Sequence, residues 1–214
     1  GSHDGRLYAL DVEKGIRKWD YKTEGMVSSY PAIVGDSVYF GSWDGAVYSV
    51  NALTGDLNWK YNTGATVFSS PAVVDGVLYI GSDDHHVYAL NAEDGKEMWN
   101  VETGKWVRCS PAVANGIVYI GSYDHYIYAL DAKNGHEKWK YETGFWIRSA
   151  PAIANDMVLF GSYDSSIYTL HAETGDFVWQ YRTGEEISSS PAVVDGSFYI
   201  GSSNGRLYAF TSNN

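Results

Sequence analysis

The side chains that can do chemistry in this sequence recur in two places. Trp106, Arg108, Phe145, Trp146 and Arg148 lie between a Thr-Gly and a Pro-Ala dipeptide, with Phe68 at a related position. Trp43, Tyr123, Tyr126 and Tyr163 follow a Gly-Ser dipeptide. Rings of this kind offer a large apolar face with a polar handle, and an arginine fork matches a carboxylate or phosphate. They are the residue types that dominate binding surfaces. Arg108 and Arg148 either clamp such an anion or pair with acids of this acidic chain. The other reading of the rings is that they pack between neighbouring units around a narrow channel. His85, His86 and His125 raise the question of a metal, but they lack a regular ligand spacing. Asp44, Asp84, Asp124 and Asp164 recur in polar turns, where an Asp bonds its own backbone. No nucleophile–base spacing, phosphate loop or Cys–His pairing is present, so no catalytic residue, metal or cofactor is assigned.

These residues sit in an internal repeat. Pro-Ala begins at Pro31, Pro71, Pro111, Pro151 and Pro191, a period of 40. Trp19, Trp59, Trp99, Trp139 and Trp179 keep the same period, as do the Gly-Ser pairs from Gly41 to Gly201. One unit reads as four strands: Ser69 to Val74, Val77 to Gly81, Val87 to Asn91 and Lys96 to Glu102. Asp75-Gly76 is a tight-hairpin signal between the first two. Nothing has helical period. Four antiparallel strands per unit of this length describe a β-propeller blade, so the expected fold is all-β, a single propeller over residues 1–214. The five periodic tryptophans are expected to lie over a neighbouring turn and hold blade to blade.

Composition narrows the function. With 44% hydrophobic residues the chain can bury a core. A formal charge of −11 argues against nucleic acid and anionic membrane as partners. No apolar run is long enough to span a bilayer. The single cysteine, Cys109, excludes an intrachain disulfide.

The segments "YALNAEDGKEMW" and "YALDAKNGHEKW" resemble the tryptophan-docking motif of the PQQ-like repeat family. That family includes quinoprotein dehydrogenases and non-enzymatic propellers of the BamB type. Ala89, Asn91, Ala92, Gly95 and Trp99 match the motif, as do Ala129, Asp131, Ala132, Gly135 and Trp139; Val12 departs from it. The resemblance covers the whole chain and implies the propeller fold, with a periplasmic or extracellular setting. The enzymes of the family are similar to one another in an adjacent cysteine pair, a bound calcium and a catalytic Asp. Cys109 stands alone, so no catalytic residue is carried over.

Strand counting adds one feature. "DGRLYAL" (Asp4 to Leu10) and "NGRLYAF" (Asn204 to Phe210) are near copies, giving six third strands against five of the others. The ends 1–10 and 201–210 are therefore redundant. The expectation is a closed five-bladed monomer in which the two chain ends share a sheet; the spare copy is then frayed or pairs with another molecule, and the alternative is that the chain is a segment of a larger ring. Gly1-Ser2-His3 reads either as a cleaved-tag remnant or as one more Gly-Ser turn. The turns that vary between repeats fall on one rim, toward the mouth of the axial channel. The expected function is a non-catalytic binding or sensor module offering that rim to a protein segment or small ligand. Three alternatives stand beside it. One is a PQQ- or metal-binding quinoprotein-like enzyme domain, stacking a quinone on Trp106 or Trp146 with Arg108 as its carboxylate partner. The others are carbohydrate binding on the aromatic faces and a purely structural array.

Overall fold

The computed structural model describes residues 1–211, and every regular element among them is a β-strand. The chain divides into two compact units, Gly1–Glu102 with Trp106–Arg108, and Thr103–Lys105 with Cys109–Asn214. In the first unit β1 (Arg6–Leu10) and β2 (Arg17–Lys22) form a two-stranded sheet. A four-stranded sheet follows from β3 (Ala32–Val34), β4 (Ser37–Gly41), β5 (Ala46–Asn51) and β6 (Leu57–Asn62). The next comprises β7 (Ala72–Val74), β8 (Val77–Gly81), β9 (His86–Asn91) and β10 (Glu97–Glu102). The second unit begins with β11 (Ala112–Ala114), β12 (Ile117–Gly121), β13 (Tyr126–Asp131) and β14 (Glu137–Glu142). It continues with β15 (Ala152–Ala154), β16 (Met157–Gly161), β17 (Ser166–His171) and β18 (Phe177–Arg182). It ends with a three-stranded sheet of β19 (Ala192–Val194), β20 (Ser197–Ser202) and β21 (Arg206–Thr211). All pairings are antiparallel and follow chain order within each four-stranded sheet.

Local chemistry explains the strand limits. β8 and β9 are buried along nearly their whole length, as a sheet covered on both faces requires. The outer β10 is largely exposed, and Trp99 is its one buried residue. The first strand of the unit is shorter than its apolar pattern suggests, because Pro71 has no N–H to give a ladder. Asp75 (φ 50°) and Gly76 (φ 78°) both take the left-handed region, which a two-residue hairpin with the right twist needs.

Sheets are joined by one repeated contact. The indole N–H groups of Trp19, Trp59 and Trp139 donate to the carbonyls of Ala52, Ala92 and Ala172 at 3.0, 3.0 and 2.9 Å. The ring then lies flat over a glycine three residues further on. A Cβ at Gly95 would fall 2.6 Å from the Trp59 indole, so only glycine fits. Ala92 and Ala172 each accept a second bond, from Tyr39 and Tyr119 at 3.1 and 3.0 Å. Ala52 accepts the indole of Trp19.

A second contact ties each Thr-Gly link to the following sheet. The N–H of Gly64, Gly104 and Gly144 donates to Oδ2 of Asp84, Asp124 and Asp164. Oδ1 of each of these Asp accepts from the backbone two residues on, and Oδ2 also takes the hydroxyl of Tyr88, Tyr128 or Tyr168.

Each chain end pairs within its own unit. β1 pairs with β2, β21 pairs with β20, and the described residues hold six sheets. The cause is local. A hairpin with a six-residue turn brings β1 to β2 at small entropic cost, so the strand bearing Trp19 is occupied by its neighbour in sequence. Gly1-Ser2 folds as a repeat turn, since Ser2 N–H donates to Arg6 O and Val27 N–H to Ser2 O, as happens around Ser42.

The second unit also contains a fault in the pattern. Trp59, Trp99 and Trp139 lie against Tyr39, Tyr79 and Tyr119, with ring centroids 5.8–5.9 Å apart. At the fourth such position the residue is Leu159. A cavity of about 430 Å³ opens there, lined by Leu159, Met157, Trp179, Phe198, Phe210 and Thr169. The Thr169 hydroxyl is buried without a hydrogen-bond partner among the described residues. Thr169→Val keeps the shape and removes the stranded hydroxyl, so it is expected to raise unfolding stability by about 1 kcal/mol in urea titrations.

The Asp–Tyr pairs set the alkaline limit. Burial first, and the facing carboxylate second, push the phenols of Tyr48, Tyr88, Tyr128 and Tyr168 well above the ordinary tyrosine range. The unfolded chain releases these protons near pH 10 while the folded chain keeps them, so stability is intact below that pH and falls as pH rises beyond it. Urea midpoints should stay level to about pH 9 and then drop. Tyr128→Phe should make the drop shallower by up to about 1.4 kcal/mol per pH unit.

Candidate functional site

Two short segments build the site in each repeat. In the link from Thr-Gly to Pro-Ala, Val67, Val107 and Ile147 are fully buried plugs. The residues on either side of each plug point the other way, and these are Thr66 and Phe68, Trp106 and Arg108, Trp146 and Arg148. The residue after Gly-Ser is then zipped to the link. Trp43 N–H donates to Met26 O, Asp83 N–H to Thr66 O, and Tyr163 N–H to Trp146 O, each at 2.9 Å. Variable side chains from both segments therefore meet.

In the first unit they meet around Arg108. Its guanidinium makes a forked pair with Asp83, Nε at 2.9 Å and Nη2 at 2.7 Å. The same group lies 4.3 Å from the ring centroid of Phe68 and 4.3 Å from that of Trp106. Asp83 is nearly buried and Arg108 only a quarter exposed. Trp43 packs on Phe68, centroids 4.5 Å apart, and touches His3 at 5.9 Å. Its indole N–H is buried without a partner among the described residues. Trp106 is 43% exposed and forms the open face of the group.

In the second unit the group centres on Trp146. Tyr123 stacks on it at 4.8 Å and 12°, and Phe145 at 4.7 Å and 24°. Tyr163 lies 6.1 Å away and accepts a 3.4 Å bond from Arg148 Nη1. His125 packs on Phe145 at 5.4 Å. It does so from a left-handed backbone (φ 80°) in a turn where Gly45 holds the same place. Phe145 is 40% exposed and Tyr123 is buried.

Tyr126 is placed elsewhere. It opens β13, lies under the Lys140 ammonium and beside Tyr128, and so belongs to the sheet surface. His86 bonds the Asp84 carbonyl at 3.0 Å, a different task from that of His125. Among the described residues no three His, Cys, Asp or Glu side chains converge on a metal position. Cys109 is fully buried, its thiol pushed up to about 12 by desolvation, and it donates to Ser149 O at 3.2 Å.

A quinone does not fit these residues. Arg108, its expected carboxylate partner, is already neutralised by Asp83. Trp146 already carries two stacked rings. Cys109 is a single buried thiol rather than half of an adjacent pair. The sequence did not single out Asp83 or the cavity beside Trp179. The signals were present, as Asp at a position where Trp43, Tyr123 and Tyr163 carry rings, and Leu159 at a position otherwise Tyr.

Comparison with known proteins bears on the fold. The chain overlaps for 99% of its length, with a TM-score of 0.87 and 17% identity, the crystal structure of the computationally designed Ika8 protein. It spans 66% of that chain, about two thirds of the designed protein. It also matches the crystal structure of BamB from Moraxella catarrhalis, with a TM-score of 0.64 and 17% identity over 98% of this chain and 80% of that one. No curated protein matches. The family described as outer membrane protein assembly factor BamB, a PQQ-like repeat family, matches residues 2–70 and 63–214. With its all-β sheets of four antiparallel strands, the chain belongs to this BamB-like family of PQQ-like β-propellers.

Proposed function

We propose that the chain is a non-catalytic binding module that offers two separate exposed rings, Trp106 in the first unit and Phe145 in the second, to the apolar residues of protein segments. The observation that carries this is their support. Each is an exposed aromatic ring held by groups that are already locked: Trp106 by the Asp83-bound Arg108, and Phe145 by Trp146 and Tyr123. A ring fixed before binding loses little entropy on binding. The relatives in the family are named as outer membrane protein assembly factors, which favours a protein partner over a small molecule. The chain's net charge of −11 and the exposed Glu185 and Glu186 favour a segment whose apolar residues are flanked by cations.

Left-handed His125 adds support. A non-glycine residue in that region costs about 1 kcal/mol, and it places a ring against Phe145. The test uses displayed random peptides selected on the native chain. The enriched peptides should bind the Trp106→Ala/Phe145→Ala variant at least about tenfold more weakly, with its melting unchanged. Equal binding to both proteins, or no enrichment, overturns the reading. Arg108 is left intact in this variant because its loss strands the buried Asp83 charge. His125→Gly should melt higher by about 1 kcal/mol of stability yet bind the same peptides less tightly.

A further inference from the structure

Among the described residues the last sheet of the second unit holds three strands, where the two before it hold four. In the four-stranded sheets the third strand is flanked on both sides; among the described residues no strand lies on the outer edge of β21. Leu207 on that strand is 73% exposed, whereas Val47, Val87, Ile127 and Ile167 at the same repeat position are fully buried. Tyr199, on the neighbouring β20, is 36% exposed where Tyr39, Tyr79 and Tyr119 are buried. A surface built as core is left uncovered.

Two features specify what covers it. The first is charge. At the opening position of the third strand the residues are Arg6, Ala46, His86, Tyr126, Ser166 and Arg206, so arginine occurs only in β1 and β21. Diagonally across from it on the fourth strand, at the place paired with Tyr8 in β1, they are Asp20, Lys60, Asn100, Lys140 and Gln180, so an acid occurs at that place only in β2. Arg6 and Asp20 form an ion pair. Arg206 is exposed. The second feature is a hydrogen bond. Ala92 and Ala172 carbonyls each accept an indole N–H and a tyrosine O–H. Ala52 accepts the indole of Trp19, and in the repeat register its tyrosine would come from the sheet to which β2 is added. For a sheet made of β19, β20, β21 and an added β2, that tyrosine is Tyr199.

We propose that β21 of one copy takes the place of β1 against β2 of a second copy. The exchange is like for like along the strand, "RLYAF" for "RLYAL". It keeps an Arg on Asp20, buries Leu207, and brings the Tyr199 hydroxyl to the Ala52 carbonyl. β1 is suited to leave. It pairs with one strand only, Leu10 is 57% exposed, and no atom comes within 4 Å of a Cβ built on Gly15, the turn glycine that an indole covers at Gly55, Gly95 and Gly175. The two surfaces differ, so each contact is heterologous, and a pair of copies can make it once or reciprocally.

Charge reversal tests this in solution. The unaltered protein should sediment as species of two or more copies that dissociate on dilution. Arg206→Asp alone and Asp20→Arg alone should each weaken association at least about tenfold, because each sets like charges together. An equimolar mixture of the two variants should associate again, since every contact between unlike chains then joins opposite charges. Far-UV circular dichroism of each variant checks that it is folded before mixing. A single-chain species at every loading concentration overturns the proposal. So does failure of the folded variants to associate on mixing, and so does restoration only when both changes are placed in one chain, which would show the strands pairing within a molecule.

Discussion

Everything in this fold hangs on an indole lying over a glycine. The contact is made by two groups at once, the ring by dispersion and apolar burial and the N–H by a carbonyl in the same turn. Burying a Trp removes roughly 150–250 Å² from water, about 4–6 kcal/mol as an upper bound. That is of the order of a small domain's whole stability. The carbonyl is shared with a tyrosine from the same sheet as the indole, so one turn receives two donors and fixes the angle between sheets. The Thr-Gly link, tied through its N–H to the next Asp, then has no freedom left. Its side chains are presented from a rigid support.

Rigidity at the base is what lets the rim vary. The plug residues Val67, Val107 and Ile147 are alike and buried, while the residues beside them differ in size and charge. Arg108 shows how such variation stays tolerable. Its charge is met by Asp83 and its flat faces by Phe68 and Trp106, so a cation sits among rings without a desolvation deficit. Trp43 is less well served, with its N–H buried and unmatched among the described residues.

The period of 40 made the fold legible, because Trp, Gly-Ser and Pro-Ala each mark a fixed place in a four-stranded unit. The hairpin at Asp75-Gly76 was legible for the same reason, since few dipeptides accept two positive φ values. The first strand was read too long, as apolar character extends past the point where Pro71 ends the ladder. The near copies β1 and β21 each pair with a strand next to them in sequence, and residue patterns alone do not rank local against distant pairing. At the rim, the segments were legible and the partnerships were not. Asp83 and Arg108 stand 25 positions apart, the same offset as Trp43 and Phe68. Reading one repeat against another at that offset finds ring facing ring in one repeat and an acid facing a base in the next. Tyr126 was placed with the rim by proximity in sequence, but a strand's alternation turns it to the sheet surface beside Lys140.

The docking contacts also have a constant reach. Trp19 to Ala52, Trp59 to Ala92 and Trp139 to Ala172 each span 33 residues, however far along the chain they lie. Contact order is therefore an attribute of the repeat and does not grow with the number of repeats. Nucleation can begin at any adjacent pair of sheets and spread outward, each step closing a loop of the same length. Gain or loss of a whole 40-residue cassette by recombination leaves every remaining docking contact with the same span, so array length is a variable that evolution can change without redesigning the core.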